Sequence, residues 1–212
     1  MQLIDKQMQM LFPTPMFTGK VSDLGACDRV EKKLREMQKT SQGLKHNFGD
    51  FAFLTADDIH TLPEMKELVD MIMTESGQVL DLYKIKRESH YITNMWANIT
   101  HPNHRHHMHI HPNCLFSGII YIKAPKNCGP TLFFDPRINA RLIEPAYTEN
   151  NVFNSATLTV PAEKGRMLIW PSYLSHGVDY GTSKEDEDRI VVAFNVMIRG
   201  LIDRRTARLE LR

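Results

Sequence analysis

From Ser89 onward, apolar and polar residues alternate with a period of two, which is the spacing of a half-buried β-strand. Turn signals such as HPN, APKNCGP and WPS interrupt this pattern at short intervals. The pattern predicts strands over residues 90–99, 107–111, 115–123, 131–134, 156–160, 166–170, 175–180 and 189–198. Several short strands separated by turns favour a sandwich or a barrel. The long interruption at residues 137–155 is expected to form a functional lid.

The first 88 residues show a helical period instead. Asp23 can cap a helix, because apolar residues recur behind it on one face, at Cys27, Val30, Leu34 and Met37. The tetrapeptide TLPE at residues 61–64 matches a capping box and predicts the start of a second helix. The apolar residues of that helix are Met65, Leu68, Val69, Ile72, Met73, Val79, Leu80 and Tyr83. We expect both helices to pack on the outer face of the sheet.

The 212 residues are expected to form one domain, because no repeat, low-complexity segment or linker divides them. Within it we distinguish a mainly helical part (1–88), a β-rich core (89–200) and a basic tail (201–212), for which a solvated helix is expected. The net charge of +1 provides no general attraction for nucleic acid, so nucleic-acid binding is not expected. A homodimer is left open.

The cysteines and the apolar segments bear on the cell compartment. Cys27, Cys114 and Cys128 are odd in number and widely spaced, which indicates reduced thiols. The opening residues MQLIDKQMQMLFPTP lack the pattern of a signal peptide, and no stretch approaches the roughly 18 apolar residues of a membrane span. These features predict a cytoplasmic protein without a membrane segment.

The last predicted strand, RIVVAFNV, has two different faces. One face is bulky and suited to packing against the helices; it carries Ile190, Val192, Phe194, Val196 and Ile198. The other face carries Arg189, Val191, Ala193 and Asn195. Because buried charge needs a partner, a strand that turns arginine and asparagine inward is expected to line a cavity.

Six of the ten histidines lie between His101 and His111, and His176 stands alone 65 residues later. Histidines at i and i+2 on a strand point the same way. Pro112 cannot donate to a central ladder, so His109 and His111 are expected at a strand end beside a cavity mouth. With His176 they would bind one side of a metal and leave other positions open, as a catalytic site requires.

Spacing alone leaves alternatives open. His107, His109 and His111 would share one face, so the register of the ligand pair is undecided. A histidine-rich tract can also be solvated or bind metal adventitiously. The presence of His176 and Arg189 favours a built site. Three further histidines are expected to be incidental or to face the substrate: His101, His104 and His106.

Five motifs in order, HIHPN, SGIIYI, DPR, WPSYLSH and RIVVAFN, resemble a branch of the 2-oxoglutarate- and Fe(II)-dependent oxygenase superfamily with the order HxHP, SGxYY, DPR, FPSxLxH and RxxxxFN. LFPTPMF and Trp96 resemble that branch too, so the resemblance spans nearly the whole chain. It implies a double-stranded β-helix, or jelly roll, with flanking N-terminal helices. It also implies a dioxygenase that uses iron(II), 2-oxoglutarate and dioxygen, releases succinate and carbon dioxide, and hydroxylates an unactivated carbon.

The resemblance assigns roles to five residues. His109 falls on the first histidine of the family's HxD motif, His111 on its aspartate, and His176 on the distal histidine. Arg189 matches the basic residue that binds the distal carboxylate of 2-oxoglutarate. Tyr121 matches a position from which a tyrosine often helps to hold that carboxylate.

The chain departs from the family in one respect: three neutral histidines leave the metal site one negative charge short. Asp135 in the DPR motif is the nearest candidate for a replacement carboxylate, and Asp179 is another, although aspartate before proline is usually a turn former. The substrate is not readable from the sequence. The candidates for substrate contact are Arg137, His107 and Asn195.

Two other classes of function fit the same residues. A cupin-like metal enzyme would use three histidines without 2-oxoglutarate, and Arg189 would then need a fixed acidic partner. A binding module that kept the barrel and lost catalysis would have a blocked interior or take no metal.

Overall fold

The computed structural model describes residues 4–40, 43–44, 52–137, 142–202 and 206–212. Its two α-helices are α1 (Leu24–Lys39) and α2 (Lys66–Leu82). The described strands are β1 (Phe17–Lys20), β2 (Gly43–Leu44), β3 (Ala52–Thr55), β4 (Ser89–Thr100), β5 (His106–His109), β6 (Phe116–Lys123), β7 (Thr131–Phe134), β8 (Thr157–Val160), β9 (Arg166–Pro171), β10 (His176–Val178), β11 (Arg189–Ile202) and β12 (Leu209–Leu211).

The strands form two antiparallel sheets. The larger sheet has the order β1-β9-β6-β11-β4-β3-β2, and β12 pairs with β11 outside this path. The smaller sheet has the order β5-β10-β7-β8. This arrangement confirms the predicted mainly β fold with flanking helices. Every strand predicted from residue 89 onward is present, and the bounds differ by a few residues at most.

Helix α1 forms as its sequence predicts. The Asp23 side chain accepts a hydrogen bond from the backbone N–H of Gly25 at 2.8 Å, and so caps the helix. The buried residues of the helix are Cys27, Val30, Leu34 and Met37. These four side chains join the main core, where they pack under the larger sheet.

The capping-box prediction for TLPE was wrong. Thr61 ends a short 3-10 turn (Ile59–Thr61), and its hydroxyl donates back to the carbonyl of Asp58 at 2.9 Å. A second 3-10 turn (Pro63–Met65) follows before α2 begins at Lys66. The threonine hydroxyl is therefore used inside the earlier turn and cannot cap the helix that comes later.

Strand pairing adds to one expectation and corrects another. The mainly helical N-terminal part also contributes strands, because β1 pairs with β9, and β3 pairs with β4, extending the larger sheet on both sides. The expected helix is not found in the described part of the basic tail, where Leu209–Leu211 pairs with the end of β11. Strand β11 extends beyond β4 and β6 at this end, so its unpaired backbone groups form hydrogen bonds with β12.

The core has two parts, one on each face of the larger sheet. Helices α1 and α2 cover one face, and all five bulky residues of β11 lie in this part of the core, as predicted. The second part lies between the sheets and contains Tyr121, Phe133, Leu168, Trp170, Leu174 and Val191. No helix in the described ranges is long and apolar enough to cross a membrane.

Candidate metal centre

Three histidines from two neighbouring strands meet at one point. His109 ends β5, His176 begins β10, and the two are cross-strand partners. His111 lies just beyond β5, where its backbone N–H donates to the carbonyl of Ser172 at 3.2 Å. Each histidine offers one ring nitrogen, and these atoms lie within 4.8 Å of one another. The register that spacing left open is thereby resolved in favour of His109 and His111 as the pair beside His176.

In each imidazole, the nitrogen that faces away from the other two rings, Nδ1, is hydrogen-bonded to an oxygen atom. His109 Nδ1 lies 2.8 Å from the carbonyl oxygen of His107, and His176 Nδ1 lies 2.9 Å from that of Leu174. A carbonyl oxygen only accepts, so both Nδ1 atoms carry the proton. Their Nε2 lone pairs are then free for a metal.

His111 is held in the same way by a side chain. Its Nδ1 lies 2.9 Å from Oδ1 of Asn195. Ser117 Oγ donates to the same Oδ1 at 2.8 Å, and Asn195 Nδ2 donates to Asn94 Oδ1 at 2.8 Å. Oδ1 of Asn195 therefore accepts the proton of His111 Nδ1. All three imidazoles turn Nε2 inward, so the donor set fits one divalent metal ion.

The environment keeps two of these imidazoles neutral. Burial lowers the pKa of His176 to about 3, and the neighbouring His109 adds to the effect. Burial and His109 likewise lower the pKa of His111 to about 4, against a smaller opposing effect of its bond to Asn195. Neutral imidazoles are the form that binds metal, so the site is ready for a metal at neutral pH.

Neither candidate carboxylate joins the three histidines. Asp135 forms a two-pronged ion pair with Arg137, with Nε–Oδ1 at 2.9 Å and Nη2–Oδ2 at 2.7 Å. Asp179 accepts the backbone N–H of Tyr180 at 2.9 Å. Across the described residues, the only cluster of three or more metal-ligating side chains with this spacing is the histidine group.

A cavity of about 390 Å³ runs from the histidines to Arg189. Its walls include Ile119, Trp170, Val191 and Ala193, so the odd-numbered face of β11 lines a cavity, as predicted. Only 4% of Arg189 is exposed, and no Asp or Glu of the described residues forms an ion pair with it. Among the described residues, Arg189 Nε has no hydrogen-bond partner. The far end of the cavity thus holds a buried positive charge without an acid.

Tyr121 supports Arg189 differently from the expectation. The guanidinium carbon of Arg189 lies 5.2 Å from the centroid of the Tyr121 ring. The phenol oxygen lies 2.6 Å from Oγ1 of Thr131, and Thr131, rather than Tyr121, lines the cavity. Thr131 was not among the residues predicted from the sequence. Its place on β7, the strand that pairs with the one carrying His176, offered a signal.

The candidate substrate residues lie in different places. His107 lines the cavity near its mouth, with His104 and His106. Arg137 is exposed and paired with Asp135. Asn195 is buried behind His111, where its amide makes the hydrogen bonds given above. The proposed lid falls partly on residues 138–141, which lie outside the described residues; positions 142–155 contain no helix or strand.

Two aromatic contacts complete the walls of the site. Trp96 stacks on His111, with ring centroids 5.5 Å apart and planes at 19°. His106 stacks on His109, with ring centroids 4.6 Å apart. A second, more open depression lies on the other side of His109 and His111 and is bordered by Asp57, Asn94 and Ile110.

Comparison with known proteins agrees with this site. Residues 94–195 match the model of a family of 2OG-Fe(II) oxygenases. A search of curated proteins gave no significant match.

Solved structures with the same fold, at low sequence identity, include a prolyl hydroxylase and proteins that use or bind 2-oxoglutarate. A Pseudomonas putida prolyl-4-hydroxylase is 9% identical, with a TM-score of 0.63 over 88% of this chain and 94% of that chain. The 2-oxoglutarate-dependent epimerase SnoN of nogalamycin biosynthesis is 13% identical, with a TM-score of 0.65 over 94% and 89%. HygX of Streptomyces hygroscopicus, solved with nickel and 2-oxoglutarate, is 11% identical, with a TM-score of 0.56 over 92% and 89%. The predicted jelly roll is confirmed.

Proposed function

We propose that this protein is a 2OG-Fe(II) oxygenase, a hydroxylase that holds iron(II) on His109, His111 and His176 and 2-oxoglutarate on Arg189. The observation that carries the proposal is one cavity with two unlike ends. At one end three Nε2 lone pairs converge; at the other lies a buried guanidinium for which the described residues offer no acidic partner. A dicarboxylate that chelates a metal through one end needs this combination.

The protein's part in the reaction is to bind and orient. The three imidazoles would occupy one side of the iron, which leaves positions for 2-oxoglutarate and dioxygen. With both bound, iron(II) supplies the oxidising chemistry, in which 2-oxoglutarate and dioxygen yield succinate and carbon dioxide and one oxygen atom enters a C–H bond of the substrate. The apolar walls at Ile119, Trp170 and Val191 would exclude water from that chemistry.

Arg189 would fix the direction of 2-oxoglutarate. A guanidinium offers two parallel N–H donors to a carboxylate, and a buried site strengthens such a pair. The Tyr121 ring under the guanidinium holds the side chain in place, and the Thr131 hydroxyl, which is hydrogen-bonded to the Tyr121 phenol, lies on the cavity wall. We include Tyr121 and Thr131 in the proposed carboxylate site on these grounds.

The rival classes account for less of the geometry. A cupin-like enzyme without 2-oxoglutarate also fits three histidines, but it leaves the charge of Arg189 without a counter-ion among the described residues. A non-catalytic module does not explain an open cavity that connects a complete ligand set to that charge.

Homodimer formation and the cell compartment stay predictions from the sequence. A cytoplasmic location is predicted from the three cysteines, all of which are free thiols.

Anaerobic titration tests the proposal directly. Iron(II) followed by 2-oxoglutarate should produce a weak visible charge-transfer band that iron(II) alone does not produce. Subsequent exposure to air should release succinate. A protein that binds iron(II) without any response to 2-oxoglutarate would favour the cupin-like class, and one that binds no iron would favour the binding module.

A further inference from the structure

We propose that Asn195 is the positioning residue of the third metal ligand: its amide fixes the tautomer and ring orientation of His111. This inference rests on the proposed iron site of His109, His111 and His176. It concerns why a histidine can function at a position where the family usually has an aspartate.

The three ligands are held by two different means. His109 and His176 each bond to a carbonyl two residues earlier in the chain, so backbone atoms hold them whatever the neighbouring side chains are. His111 has no such local partner at Nδ1. It depends on Asn195, which is 84 residues away in sequence. One side chain therefore decides whether His111 presents Nε2 to the metal.

The register of the larger sheet places that side chain in a row of polar residues. Asn195 on β11 pairs with Asn94 on β4 and with Ser117 on β6, so the three residues lie side by side on adjacent strands. Ser117 is fully buried and Asn195 is 5% exposed. Polar side chains placed side by side on three adjacent strands inside the sheet need a reason, and the contact with His111 provides one.

The hydrogen bonds in this row fix which way the amide points. Ser117 Oγ donates to Asn195 Oδ1, and Asn195 Nδ2 donates to Asn94 Oδ1, which also accepts from Thr93 Oγ1 at 3.0 Å. Turning the amide over would set Nδ2 against the Nδ1–H of His111. On its other side, the His111 ring is stacked on Trp96. The hydrogen bond to Asn195 therefore fixes the His111 ring within its plane, and the stacking on Trp96 fixes it from its face.

An amide and a carboxylate have the same shape but different effects on a metal-bound histidine. Both accept the Nδ1–H proton, but a carboxylate also raises the basicity of the imidazole and so strengthens the metal bond. Asn195 gives His111 the orientation without the charge. The metal centre therefore keeps a higher positive charge than one in which an aspartate stood in place of Asn195.

Cobalt(II) binding by the apoprotein, followed by visible spectroscopy, tests this assignment. Asn195→Ala should weaken binding by about 10–100-fold, the usual effect of removing such a partner. Asn195→Asp should restore the affinity to wild type or above, and it should shift the cobalt bands because the ligand is more basic. Thr55→Val is the matched control, since Thr55 is a buried hydrogen-bonding residue of the same sheet that accepts from Ala97 N–H away from the histidines.

A second measurement covers variants that bind cobalt poorly because they fold poorly. Nitrogen NMR of the metal-free wild type should show His111 protonated at Nδ1, and Asn195→Ala should show a mixture of tautomers. Wild-type affinity in Asn195→Ala, or a different tautomer in the wild type, would overturn the assignment. Absence of cobalt binding in the wild type would instead count against the proposed metal site, while the NMR measurement would still test the contact between Asn195 and His111.

Discussion

The histidine end and the Arg189 end of the cavity differ in how they are suited to bind a ligand. At the histidine end, three neutral side chains offer lone pairs, and each is held by an oxygen atom behind it. At the Arg189 end, one permanent charge lies against an aromatic ring and has no acidic partner among the described residues. The difference indicates that the histidine end is preorganised without its metal, whereas the arginine end is electrostatically incomplete until an anion binds.

The largest effect is expected from removing a ligand at the histidine end. His176→Ala deletes one of three donors from a site with no carboxylate in reserve, so iron(II) binding and succinate formation should fall to background. Calorimetry and succinate assay measure the two quantities. His107→Ala, an exposed histidine on the same cavity, is the control and should retain metal binding. Metal affinity that survives in His176→Ala would mean that the ligand set is different.

A substitution at the Arg189 end of the cavity should weaken the binding of 2-oxoglutarate but not that of the metal. Arg189→Met keeps much of the side-chain volume and removes the charged donors, so affinity for 2-oxoglutarate should drop by about 2–4 kcal/mol. Iron(II) affinity should hardly change, because Arg189 lies at the opposite end of the cavity. Separate titrations of metal and 2-oxoglutarate measure this contrast. Arg105→Met removes another arginine of the cavity lining and serves as the control; equal losses in both variants would argue that only general charge matters.

Acid should destabilise the histidine end of the metal-free protein. The pKa of His176 is lowered to about 3, so between that pH and the ordinary value of 6.5 the unfolded chain binds a proton that the folded chain does not. Stability is therefore highest above pH 6.5 and falls as the pH decreases. At pH 5 this loss is on the order of 2 kcal/mol for His176 alone. Urea unfolding at several pH values measures it, and His176→Phe should flatten the profile.

The smallest effect is expected at Asp135. Its carboxylate is bound to Arg137 and lies outside the histidine group, so Asp135→Asn should leave iron(II) affinity within about threefold of wild type. A large loss of iron would show that Asp135 enters the metal site when the metal binds, and it would then supply the charge that three histidines lack.

The β-rich core could be predicted closely because its signal is local. Period-two alternation and turn residues determine where strands such as Thr131–Phe134 begin and end. The same alternation on β11 correctly predicted which side chains face the helices and which line the cavity. The N-terminal region was less predictable, because the pairing of β1 with β9 depends on a strand about 150 residues away that no local pattern reveals.

The candidate site, too, has one part that could be predicted from the sequence and another that could not. The convergence of His109, His111 and His176 was predicted from motif order, and their nitrogens do lie together. The contacts of Asn195 and of Tyr121 were not predicted, because each depends on a distant partner chosen by sheet register. Spacing in the sequence indicates which residues share a face of one strand. It does not indicate which atoms meet across three strands.

Strand β11 has a consequence for how this protein can change over generations. Between Arg189 and Val196, its even-numbered residues belong to the core, and its odd-numbered residues line the cavity or support His111. Selection on stability and selection on chemistry therefore act on alternate positions of one strand. A substitution at Ala193, which faces the cavity, can reshape the reaction chamber with little effect on folding, whereas one at neighbouring Phe194 cannot. New substrate preferences can arise here one residue at a time.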